Sequence, residues 1–178
     1  MDLNKIPAGA DIPNQINVVV EIPAMGQPVK YEIDKDSGAL MVDRFMSVAM
    51  YYPCNYGFIP HTLAEDGDPV DVLVITPVPL VPCAVVSARP IGLLNMADEA
   101  GPDSKILAVP LTKLDPRYER VNSPEDVHRE LLDQITHFFA HYKEMERNKW
   151  VKVEGWADAE SAKSEIIASY KRYQKSKV

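Results

Sequence analysis

The 178-residue sequence predicts an α+β fold that is mainly β, on three observations. Most of its 15 prolines precede residue 111, which disfavours long helices over that stretch. The same stretch reads as short alternating or β-branched apolar runs broken by Pro and Gly. Apolar residues at sustained helical spacing occur only after residue 123. At this length, with 46% apolar residues, one domain spanning 1–178 can bury a full core.

The elements follow in order. Residues 17–22 (NVVVEI) are a β-branched run that stops at Pro23. Ala24-Met25-Gly26-Gln27 turns the chain into residues 29–34, where apolar and polar side chains alternate strictly. Asp36-Ser37-Gly38 is the next turn, and residues 40–45 a third strand. Further strands are expected at 70–76, at 85–90 with an extension to 94, and at 104–109, spaced as in a meandering barrel. Ser123-Pro124-Glu125-Asp126 reads as a helix start, with Ser as N-cap, Pro at the first helical position and acids favoured by the dipole. Val127, Leu131, Ile135, Phe138, Tyr142 and Met145 continue it as one apolar stripe. A second helix is expected from Asp158 to about residue 173, carrying Ala162, Ile166 and Tyr170, after a short extended connector at 150–153.

Composition narrows the function. A formal charge of −7 and 8% aromatic residues argue against a nucleic-acid binder, which needs a basic stripe and stacking rings. No stretch approaches the roughly 20 apolar residues of a membrane span, and the first thirty residues lack the pattern of a signal peptide. Cys54 and Cys83 form no metal or redox motif, so reduced thiols in a cytoplasmic protein are expected.

Asp66-Gly67-Asp68-Pro69-Val70-Asp71 carries the chemistry. An Asp/Gly/Pro cluster alone reads as a solvated turn, but here Asp71 opens a strand bound for the core. Two carboxylates about 4 Å apart repel by about 4 kcal/mol at an effective dielectric of 20, so three at a core edge call for cations. Oxygen donors without nearby Cys or His favour Mg²⁺, Mn²⁺ or Ca²⁺ over Zn²⁺. An EF-hand fails, because its fifth and twelfth positions counted from Asp66 are Val70 and Pro77. A calcium-binding structural protein is disfavoured for the same reason. Asp98-Glu99, Asp103 and Lys105 form a second polar cluster, and Glu21 and Glu32 a third on the first hairpin, where Glu32 shares a face with Lys30. Arg44 shares its face with core-type residues, either snorkelling or lining a polar cavity. His137 and His141 stand four apart but lack the Glu of HExxH, which argues against catalytic zinc. Lys149 and Lys152 read as a solvated edge, and Cys54 as structural.

The run Asp66 to Val72 resembles the signature of soluble inorganic pyrophosphatases of the first family, bacterial branch. Supporting blocks are Glu21-Ile22-Pro23, Lys30-Tyr31-Glu32, Asp43-Arg44, Tyr52-Pro53-Cys54-Asn55-Tyr56-Gly57, Asp98-Glu99, Asp103-Ser104-Lys105 and His141-Tyr142-Lys143, in order along nearly the whole chain. The resemblance implies an OB-like five-stranded β-barrel with two C-terminal flanking helices. It also implies hydrolysis of pyrophosphate to two orthophosphates, with several Mg²⁺ per site and Mn²⁺ or Zn²⁺ as substitutes. It assigns Asp66, Asp71 and Asp103 to a first metal, Asp71 bridging to a second, Asp98 and Asp103 to a metal arriving with substrate, and Glu21 and Glu32 to another. Lys30, Arg44, Tyr56, Lys105, Tyr142 and Lys143 then bind phosphate oxygens, and Asp68 takes the proton of the nucleophilic water. A homohexamer of D3 symmetry is implied as well, with His137 and His141 at contacts between trimers, where protonation would loosen the assembly. The expected reaction is direct attack by a metal-activated water, without a covalent enzyme intermediate. The alternative is a broader metal-dependent phosphatase acting on nucleotides or polyphosphate.

Overall fold

Val18, Val19 and Val20 are consecutive and fully buried, which requires a strand covered on both faces. The computed structural model describes residues 1–177; Val178, the last residue of the expected domain, lies outside them. Its strands and helices run β1 (Ile16–Ile22), β2 (Val29–Ile33), β3 (Leu40–Phe45), β4 (Asn55–Phe58), β5 (Asp71–Val74), β6 (Val85–Asp98), β7 (Gly101–Pro102), β8 (Lys105–Pro110), α1 (Arg129–His141), β9 (Val151–Ala157) and α2 (Ala159–Ser176). Five strands close a ring in the order β1, β4, β5, β8, β6, with β6 returning to β1 through pairs from Ile16–Ala88 to Val19–Val85. This is the OB-like barrel that was expected, with β2 and β3 as a separate hairpin.

One strand makes the closure possible. The 14 residues of β6 pair first with β1, then with β8, and finally with β9. The strand shifts register against β8 between Pro90 and Gly92, where proline offers no ladder donor. The ring is not a meander, because β5 and β8 pair in parallel and are joined by a crossover through β6 and β7.

Alternate side chains feed two cores on opposite faces of the curved sheet. Val18, Val20, Val72, Val74, Ile106 and Ala108 pack with Ala162 and Ile166 of α2. Tyr56, Leu73, Leu94 and Leu107 pack with Ile135, Phe138, Phe139 and Tyr142 of α1 and its end.

The sequence pattern and the fold differ in several places. Residues 55–58 are a fully buried strand although Pro53 and Gly57 punctuate them. Gly57 is there because a Cβ would lie 2.0 Å from the Val19 carbonyl oxygen across the ladder. Buried Asn55 ties the start of the strand to its surroundings: it accepts from Ala24 and Leu80 amides and donates to the Val74 carbonyl and Thr76 hydroxyl. The expected connector at 150–153 is the start of β9, paired along β6 to Ala157. The first helix begins at Arg129 rather than Ser123. Asp126 reaches back to the Asn122 and Ser123 amides and closes a three-residue 3₁₀ turn, after which Val127 is extended at ψ 143°. Met145 lies beyond the helix end and is 67% exposed, so it leaves the apolar stripe. The second helix starts one residue after Asp158, whose carboxylate accepts from the Ser161 amide.

Candidate active site

An open cleft of about 320 Å³ on the barrel wall gathers all thirteen residues singled out from the sequence. The ladder explains how. Glu21 stands near the end of β1, where its Oε1 accepts from the Ile33 amide at 2.7 Å and ties the hairpin to the barrel. Lys30 and Arg44 are cross-strand partners on that hairpin. Lys30 donates to Glu32 and lies 3.4 Å from Asp43, while Arg44 meets Glu146 at 3.2 Å. Arg44 therefore lines the cavity instead of snorkelling to solvent. Tyr56 comes from β4, Asp71 is the first residue of β5, Asp98 the last of β6, and Lys105 the first of β8. Ladder ends place these groups on one rim, and Asp66 and Asp68 approach it on residues 59–70.

Tight turning of that segment depends on Gly67, at φ 94° with nothing near its missing Cβ. The Asp68 amide donates to Asp66 Oδ1 at 3.0 Å, which aims the two carboxylates differently. Asp68 stays 70% exposed and is paired with Lys35. Tyr142 caps the end of α1 and Lys143 follows it, so their functional groups enter the cleft from the helix side.

Charge is distributed unevenly. Eight carboxylates and six basic side chains line the cleft, an excess of negative charge that added cations would offset for an anion. Lys105 is buried, and its ammonium joins Asp71 Oδ2 at 2.5 Å and Asp103. Burial opposes that charge, but the two carboxylates outweigh it and hold Lys105 above its ordinary value. Lys143 Nζ meets Asp98 Oδ2 at 2.5 Å, both side chains being buried. Burial works against the Asp98 charge too, yet Lys143 and the Ala100 amide hold its carboxyl below the usual carboxylate range. The opposite holds for three other acids. Burial pushes Glu21 up to about 8, against the opposing Ile33 amide and with Asp71 and Glu32 adding to the rise. Burial also raises Asp66, with Asp71 adding, and raises Asp103 despite Lys105.

These acids suit a hard divalent cation: all are oxygen donors, and three are driven toward protonation when no cation is near. Among the described residues no three His, Cys, Asp or Glu converge into a ready-made cage. Lys105 holds Asp71 and Asp103 instead, and a metal would have to share them with it.

Three charged lining residues had been given no role in this site. Lys35 sits at the hairpin turn, and only the folding of β2 onto β3 brings it to Asp68. Glu99 adjoins Asp98, and Lys149, read as a solvated edge, lies 3.6 Å from both Glu99 and Glu146 on the cleft rim. Lys152 does remain solvated, paired with Glu154. His137 and His141 stand outside the cleft, rings 4.2 Å apart, and no metal cluster forms around them among the described residues.

Comparison with known proteins bears on the cleft. The family model described as inorganic pyrophosphatase matches residues 18–174. The chain is 60% identical over 172 residues to an inorganic pyrophosphatase of Escherichia coli, covering 97% of this chain and 98% of that one. It is similar in structure to an inorganic phosphatase from Anaplasma phagocytophilum (TM-score 0.94, 50% identity, covering 96% and 99%). An inorganic pyrophosphatase from Coxiella burnetii superposes with a TM-score of 0.91 at 54% identity, covering 94% and 99%.

Proposed function

The chain belongs to the inorganic pyrophosphatase family, and from that premise we propose that it hydrolyses inorganic pyrophosphate to two orthophosphates with Mg²⁺. It is a hydrolase. The observation that carries the reading is the union, in one cleft, of carboxylates that need cations with cationic side chains that need an anion.

Asp66, Asp71 and Asp103 would hold the first Mg²⁺, Asp71 also a second, Asp98 with Asp103 a third, and Glu21 with Glu32 another. Bound Mg²⁺ supplies positive charge to the phosphate oxygens and lowers the pKa of a water molecule. Lys30, Arg44, Tyr56, Lys105, Tyr142 and Lys143 bind and orient the phosphate oxygens, the Arg44 guanidinium being suited to a bidentate grip. Water attacks one phosphorus in line with the bridging oxygen, and the bridging P–O bond breaks. Asp68 accepts the water's proton and, being exposed, can return it to solvent. No nucleophilic side chain is required.

Phosphate release from pyrophosphate, ATP and tripolyphosphate, with Mg²⁺ and with a chelator, tests the proposal. Release from pyrophosphate alone is expected, lost with chelator and regained with Mg²⁺; Mn²⁺ and Zn²⁺ are the substitutes to try. Fast ATP turnover beside slow pyrophosphate turnover would instead favour the broader phosphatase.

No described helix is long and apolar enough to cross a membrane. A cytoplasmic enzyme with one domain fits the buried thiol of Cys54, pushed up to about 12 by burial and hence inert. A D3 homohexamer is part of the proposal. Phe45, Val78 and Val81, each more than 60% exposed, are apolar residues that such an assembly could cover. Sedimentation at pH 7.5 should give a hexamer that loosens at pH 5, where imidazoles generally charge. A hexamer unchanged at both would remove His137 and His141 from that role.

A further inference from the structure

Residues 59–70, which deliver Asp66 and lead into Asp71, are anchored in the core at their two ends by Ile59 and Val70, whose backbones also bond to each other, while the stretch between carries mostly polar contacts. Two polar devices add to that anchoring from outside the segment's own backbone. The first is Thr62, which is only 2% exposed. Its hydroxyl donates to the Ile59 carbonyl at 2.6 Å and accepts from the Val70 amide at 3.0 Å, bracing the two ends of the loop together. The second is α2, more than 100 residues away in sequence. Both main-chain groups of Leu63 are taken by that helix: its N–H donates to the Ser169 carbonyl at 3.1 Å, and its carbonyl accepts from Arg172 Nη1. Arg172 also lies 3.9 Å from Glu65 and 3.7 Å from Glu165, and His61 Nδ1 meets the Tyr173 hydroxyl at 3.0 Å. Since α2 is anchored in the core by Ala162 and Ile166, the clamp refers the loop to the barrel itself.

We infer that Thr62 and Arg172 are positioning residues for the metal-holding loop, fixing the spacing of Asp66 from Asp71. The inference rests on the reading of those two aspartates as metal ligands. Neither residue lines the cleft, so neither touches substrate. Their effect passes through the backbone. Val70 and Asp71 are adjacent; without Thr62 the Val70 amide loses its partner, and the segment from Thr62 to Asp66 loses its tie to the start of β5, although the Val70 side chain and carbonyl and the Asp71–Phe58 pairing still hold that strand to the barrel. Loss of a supporting hydrogen bond behind a ligand generally weakens metal binding about 10–100-fold.

Calorimetric titration of the substrate-free protein with Mg²⁺ provides the test, alongside the Mg²⁺ dependence of pyrophosphate hydrolysis. Thr62→Val keeps the shape but removes both hydrogen bonds, and should weaken Mg²⁺ binding about tenfold. Its kcat at saturating Mg²⁺ should stay near wild type. Thr62→Ser keeps the hydroxyl and should restore binding. Arg172→Met, on a helix surface, should weaken binding in the same direction and carries the test if Thr62→Val does not fold. Variants that lose only thermal stability, with Mg²⁺ affinity intact, would overturn the inference. Wild-type protein that binds no Mg²⁺ would overturn the underlying reading of Asp66 and Asp71, and the inference with it.

Discussion

Asp68→Asn is expected to lower kcat by about 10²–10⁴-fold, the range typical of a lost general base. The substitution isolates the proton transfer because Asp68 does little else. Its side chain is 70% exposed, and among the described residues its only side-chain partner is Lys35. The turn is built by its backbone, through its amide to Asp66 Oδ1 and its carbonyl to the Ala64 amide, and an asparagine preserves both. Stability should therefore move by no more than about 0.5 kcal/mol, as at other exposed sites. Mg²⁺ affinity should also hold, since Asp66 and Asp71 are untouched. Steady-state kinetics of phosphate release with thermal unfolding of the same samples checks it. A variant with near-wild-type kcat would remove Asp68 from the chemistry; one that loses Mg²⁺ binding would make it a ligand instead.

The site was more legible in the sequence than the path of the chain that builds it. Carboxylates and basic groups are chemically distinctive, and β2 is legible from its alternation while β1 and β8 are legible as β-branched or continuous apolar runs. What local pattern hides is anything decided by a distant partner. Asn55–Phe58 is a strand because Asn55 meets four groups from three other segments, which no window around Pro53 and Gly57 reveals. The parallel pairing of β5 with β8 is a matter of crossover, not periodicity. The helix start failed for a local reason: the capping signals at Ser123 were real, but Asp126 spends them on a 3₁₀ turn. Lys35 and Lys149 sit in turns, where a lysine normally means solvent; only the assembled rim makes them neighbours of Asp68 and Glu99.

Lys105→Met should show how far cations hold this cleft together. The Lys105 ammonium is buried between Asp71 and Asp103, with the Tyr56 ring 5.7 Å away. Methionine fills the volume but leaves two carboxylates facing each other without a cation. Breaking a buried ion pair from one side costs about 3–5 kcal/mol, which in a chain of this length lowers Tm by roughly 10 °C. That loss belongs to the metal-free protein. With Mg²⁺ in excess, a divalent ion takes over the neutralisation and no longer competes with Lys105 for its ligands. Binding at 100 times Kd contributes about 2.7 kcal/mol, and a tighter Kd in the variant adds to it. The Mg²⁺-induced rise in Tm should thus be larger in the variant than in wild type, while pyrophosphate turnover falls because a cation proposed to bind phosphate is gone. The pH dependence follows from the same contacts. A lysine held above its ordinary value contributes fully at lower pH and loses its contribution only as pH rises through that raised value, so the deficit should be flat across neutral pH. Thermal unfolding at pH 7.5 in chelator and in Mg²⁺ measures all of this. An equal loss of Tm in both would mean that Lys105 acts as an ordinary ion-pair partner and that no cation shares its carboxylates.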